Sequence, residues 1–74
     1  MTEKDLSAED QYFLFTAKQE LEKAVKYQTE GRRALGQERL REAIMFFTKL
    51  PREFTDADFQ QEYDRTYSLL YRGY

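Results

Sequence analysis

The chain has no cysteine, no histidine and no tryptophan. Without cysteine there can be no disulfide, no thiolate nucleophile and no sulfur-based metal site, which suits a reducing compartment. Without histidine, the usual general base near neutral pH and the commonest metal ligand are both missing. Proline occurs once, at Pro51, and glycine three times, at Gly31, Gly36 and Gly73, so few positions can break a helix. No apolar run approaches the roughly 18 residues of a membrane span. The opening MTEKDLSAED is polar and acidic, unlike a secretory signal. Neither charge sign dominates: 12 basic and 14 acidic side chains leave a net charge of −2, which by itself argues for neither nucleic acid nor membrane. These absences predict a cytoplasmic protein.

Catalysis has equally little to stand on. No nucleophile is paired with a base at a defined spacing. The Glu-x-x-His pairs of di-metal bundles cannot exist without histidine, and Gly31 and Gly36 are not flanked by a strand, as a phosphate loop would require. We therefore expect no enzyme activity, no cofactor and no bound metal.

The chain is rich in rings. Six Phe and six Tyr make up 16% of 74 residues, more than one small core can easily hide. A chain of this length is a single domain of modest stability, and self-association is a common remedy. A protein partner, a second copy in a homodimer above all, is the expectation that follows.

The spacing of apolar residues predicts an all-α domain of three helices, at about 8–35, 38–50 and 56–72, with no sheet. Residues 1–6 read as a flexible lead-in to one helical domain over 7–74. Ser7 and Asp10 have the form of a capping box. Leu14, Ala17, Leu21, Ala24, Val25 and Leu35 then fall on one face. Gly36 is the predicted stop of helix one, with Arg32 and Arg33 in its last turn, where cations favour the carbonyl end. Leu40, Ala43, Ile44, Phe47 and Leu50 make the stripe of helix two, which Pro51 ends. So short a turn makes these helices an antiparallel hairpin. For helix three, Thr55 is the predicted N-cap, with Phe54 and Phe59 at the positions of a hydrophobic staple. Its stripe is Phe59, Tyr63, Thr66, Tyr67 and Leu70, with Gly73 ending it and Tyr74 one turn beyond.

Residues 24–51 resemble a single tetratricopeptide-type hairpin. The family places a large and then a small residue in its first helix, here Tyr27 and Gly31. A small residue and then an aromatic follow in the second, here Ala43 and Phe47, with Leu50 closing it. Glu30 and Ala34 depart from the family's preferences, and the spacing does not recur one period later, at Gln61. The resemblance implies that Gly31 faces Ala43 where the two backbones approach.

Two sets of residues are candidates for function. Phe15, Met45, Phe46, Leu69 and Tyr71 lie off the predicted stripes, and large apolar residues outside a core are the material of partner surfaces. Arg32, Arg33, Arg39 and Arg41 bracket the predicted turn. They could contact phosphate, or simply offset the helix end as solvated surface. The sequence thus points to a protein-interaction module, with a nucleic-acid-binding regulator as the alternative. Salt separates the two, because phosphate contacts weaken steeply with ionic strength.

Overall fold

Ser7 starts the first helix as its spacing implies. Its hydroxyl oxygen accepts a hydrogen bond from the Asp10 amide at 3.1 Å, satisfying one of the amides a helix leaves unpaired at its N-terminus. The computed structural model describes residues 1–72. Among those residues there are three α-helices and no strand: α1 Ala8–Thr29, α2 Arg33–Phe47 and α3 Ala57–Arg72. The expectations for Gly73 and Tyr74 lie outside the described residues.

The hairpin forms, but its turn falls earlier than predicted. Helix α1 ends at Thr29 rather than near Leu35, and the chain reverses at Gly31, whose φ of 77° lies in the left-handed region. Glycine enters that region with least strain. The amides of Gly31 and Arg32 donate to the carbonyls of Gln28 and Tyr27 at 3.1 and 2.8 Å, the paired bonds of a Schellman cap. Arg32 and Arg33 therefore belong to the start of α2, not to the end of α1. Helix α2 ends at Phe47 rather than Leu50, because residues 48–50 tighten into turns whose amides reach back to Ile44, Phe46 and Phe47.

Gly36, the predicted stop, is buried inside α2. A β-carbon there would stand 2.8 Å from Leu70 Cδ2 and 3.5 Å from the Ala24 carbonyl oxygen. The three helices converge at this point, and only a residue without a side chain fits comfortably. Gly31, by contrast, has nothing within 4 Å of its would-be β-carbon. It does not face Ala43, and the close approach that the resemblance assigns to it is made by Gly36 instead.

Helix α3 packs on the hairpin antiparallel to α2. Phe47 stacks on Phe59 at one end, with centroids 4.2 Å apart and planes 7° from parallel. At the other end Gly36 meets Leu70, and Gln37 Nε2 donates to the Leu70 carbonyl at 3.0 Å. That bond satisfies one of the carbonyls left open in the last turn of α3. At the opposite terminus of α3 the cap is Asp56, not Thr55: its carboxylate accepts from the Phe59 amide at 3.0 Å. Both residues suit the role, but Asp56 is also held by Lys18 of α1 at 3.4 Å.

The core has two parts. One joins all three helices through Ala17, Leu21, Ala24, Leu40, Ala43, Phe59 and Leu70. The other lies under the α2–α3 connection and consists of Leu6, Leu14, Leu50 and Phe54. Phe47 packs against both. The start of the chain takes part in this packing through Leu6. Residues Glu3–Asp5 form a 3-10 turn, Asp5 accepts from the amide and hydroxyl of Thr2, and Leu6 is buried. Those two hydrogen bonds hold the Asp5 carboxyl below its usual range. No helix among the described residues is long and apolar enough to cross a membrane.

Candidate interaction surface

Along α3 the rings of Phe59, Tyr63, Tyr67 and Tyr71 form one continuous row. Successive centroids are 6.3, 6.1 and 4.5 Å apart, and every pair is stacked. Phe47 adds a fifth ring at the inner end. The row follows from spacing: residues four apart lie on adjacent turns and their side chains meet. Four residues exceed one helical turn, so each step also rotates the row by about 40° around the axis. The row consequently climbs out of the core. Phe59 is 3% exposed, Tyr63 is half-buried, and Tyr67 and Tyr71 are 42% and 41% exposed. Burial pushes the Tyr63 phenol above its usual pKa, with smaller contributions from Tyr67, Tyr71 and Asp64, because each disfavours a phenolate there.

The five residues singled out from the sequence do not share one patch. Phe15 projects from α1, 59% exposed, and Met45 from α2, 45% exposed. Tyr71 ends the tyrosine row. Phe46 is half-buried in the seam between α1 and α2. Its ring lies 6.3 Å from that of Phe13, and the Lys49 ammonium sits 5.2 and 5.3 Å from the two centroids, within reach of a cation–π attraction. Leu69 is likewise half-buried, and helical phase puts it on the flank of α3 away from Tyr67 and Tyr71. Tyr67, assigned to the core stripe by the sequence pattern, belongs to the exposed surface. So do Leu35, at 41%, and Tyr12, at 62%. The four-residue repeat of aromatics was the available signal for the row.

The arginines separate as well. Because the turn lies at Gly31, only Arg32 and Arg33 stand at its edge. Arg32 pairs with Glu30 at 3.5 Å. Arg39 turns towards α1, where it donates to Glu20 at 3.0 Å and to Glu38 at 3.1 Å. Desolvation lowers its pKa, but Glu20 and Glu38 outweigh that and raise it overall, so Arg39 is an inter-helix tie. Arg33 and Arg41 remain exposed on α2.

A shallow groove between α1 and α3, of about 820 Å³, has Leu21, Val25 and Phe59 in its lining and charged residues such as Lys18, Lys26, Asp58 and Glu62 around them. Its α1 wall is mostly basic and its α3 wall acidic, and it carries no defined constellation of reactive groups. Compared with known proteins, the chain matches no family model, no curated protein and no solved structure.

Proposed function

We propose that this domain is a small protein-interaction module, an adaptor or a chaperone-like or regulatory subunit, that binds a protein partner through exposed aromatic faces and associates with itself. A cytoplasmic setting suits a chain with no cysteine to oxidise. The observation that carries the reading is the tyrosine row of α3. Tyr67 and Tyr71 are held in order by stacking yet left about two-fifths exposed. A ring already fixed in place loses little conformational freedom when a partner covers it, so more of its burial energy is available for binding. Aromatic side chains are enriched at the centres of such contacts.

The test is to replace Tyr67 and Tyr71 by serine and compare the proteins retained by the immobilised chain, further copies of itself included. Circular dichroism should show the fold intact, since neither ring is buried, and retention should fall. Equal retention by parent and variant would remove the tyrosine row from the account. Retained nucleic acid, released by salt and by reversing Arg33 and Arg41, would favour the phosphate-binding reading instead.

A further inference from the structure

The faces of the molecule differ in their charge. On α2, Arg39 and Phe46 mark the flank that meets α1 through Glu20 and Phe13. Gln37, which reaches Leu70, marks the flank that meets α3. Helical phase puts Arg41 and Ile44 on the α3 side with Gln37, and Met45 at its outer edge. On α3, Asp58 and Glu62 line the groove with α1, so Gln60, Asp64, Tyr67 and Tyr71 occupy the opposite flank, beside α2. The α2–α3 face thus presents three large exposed apolar side chains, Met45, Tyr67 and Tyr71, with Arg33, Arg41, Asp64 and, about 20° from Met45 in phase, Glu38 as its charges. Tyrosine, methionine and arginine with few other charges is the composition of an interface centre.

The charges are also placed in register. Gly36 is level with Leu70 and Phe47 with Phe59, the same interval on two antiparallel helices. Arg41 is therefore level with residue 65, about 1.5 Å along the axis from Asp64. Among the described residues neither Arg41 nor Asp64 takes part in an ion pair, and both are exposed. Asp64 accepts a hydrogen bond from Gln60 at 2.9 Å.

We infer that the α2–α3 face receives a second copy of this chain, related by a two-fold axis running along the two helices. That operation lays α2 of one copy over α3 of the other at unchanged height. Arg41 of each copy then meets Asp64 of the other, and Tyr67 and Tyr71 come level with residues 39 and 35 of the facing α2, over Ala34 and Gln37. A two-fold axis across the helices would lay arginine flank on arginine flank, so charge selects the first arrangement. The contact is isologous, with the same surface used on both sides. This inference rests on the tyrosine row being an interaction surface and names its occupant.

The test is the solution mass of the full chain and of three variants, measured by sedimentation over a range of concentrations. The parent should be a dimer. Arg41→Asp and Asp64→Arg should each weaken it about tenfold or more, by placing like charges face to face. The combined Arg41→Asp, Asp64→Arg variant should recover most of that loss, with circular dichroism confirming that all four chains are folded. A monomeric parent, or a combined variant no better than the worse single one, overturns the two-fold arrangement. A parent that is monomeric yet loses a different protein on replacement of Tyr67 and Tyr71 also overturns it, while leaving the proposed interaction role in place.

Discussion

The would-be β-carbon of Gly36 lies 2.8 Å from Leu70 Cδ2 and 3.2 Å from Leu70 Cδ1, so a residue of α2 has given up its side chain to seat one from α3. Leu70 is 1% exposed and has little room to swing aside. Gly36→Ala would gain about 1 kcal/mol of helix propensity. Overpacking a filled site costs roughly 1–3 kcal/mol. The expected outcome is net destabilisation in a denaturant melt, smaller when Leu70 is shortened to valine in the same chain. A raised midpoint for Gly36→Ala alone would show that the seam between α2 and α3 is loosely packed.

At Gly31 the same substitution meets a different obstacle. The site is open, but φ is 77°, and an L-residue held in that region costs on the order of 1–2 kcal/mol. Gly31→Ala should therefore destabilise. Asparagine tolerates this conformation better than alanine although it is larger, so Gly31→Asn should cost less. The opposite order would mean that crowding, not backbone conformation, limits the position.

Phe47 is half-buried, yet it joins both parts of the core and stacks on Phe59 at 4.2 Å. Removing a core aromatic costs about 3–5 kcal/mol, and partial exposure points to the lower end. Phe47→Ala should lower the melting temperature sharply and release the Phe54 segment together with α3. A melt like that of the parent would place the weight of the core elsewhere.

Tyr63 supplies a pH signature. Its phenol is raised in the fold, chiefly by burial, so between its unfolded value of about 10 and its folded one the native state holds the extra proton. The corresponding stability is fully present below the unfolded value and is lost as pH rises through the folded one. Tyrosinate absorbance in the native chain should show one ring titrating late, and Tyr63→Phe should abolish that late component. If all tyrosines titrate together below the unfolding transition, Tyr63 is more open to water than its burial implies.

Much of the architecture was legible because local chemistry decides it. Ser7 caps α1 whatever the remainder of the chain does, and the apolar stripes of α2 and α3 set which faces turn inward. The turn was not legible, because Gly31 and Gly36 are equivalent as helix stops. What separates them is Leu70, far along the chain, which needs the space over Gly36. The arginines are a false signal for a helix end. Arg32 and Arg33 look like a favourable C-terminus, yet they begin α2, where the helix dipole works against them. The exposed surface was legible in part: Phe15, Met45 and Tyr71 are open. Phe46 and Leu69 are half-buried, and the cover that Phe46 takes from Phe13 of α1 is one that no single helix's periodicity reveals.

The drift of the aromatic row around α3 has a consequence for how the domain can change. Phe59 serves folding, Tyr71 serves the surface, and Tyr63 lies between the two. Substitutions at the outer end can alter the exposed surface without disturbing the inner end. A substitution at the inner end is felt along the whole row. One inserted residue between Tyr63 and Tyr67 would turn the outer rings by about 100°, but it would carry Leu70 off its seat over Gly36 with them. The outer end of the row can thus vary by replacement, but not by rotation, without cost to the core.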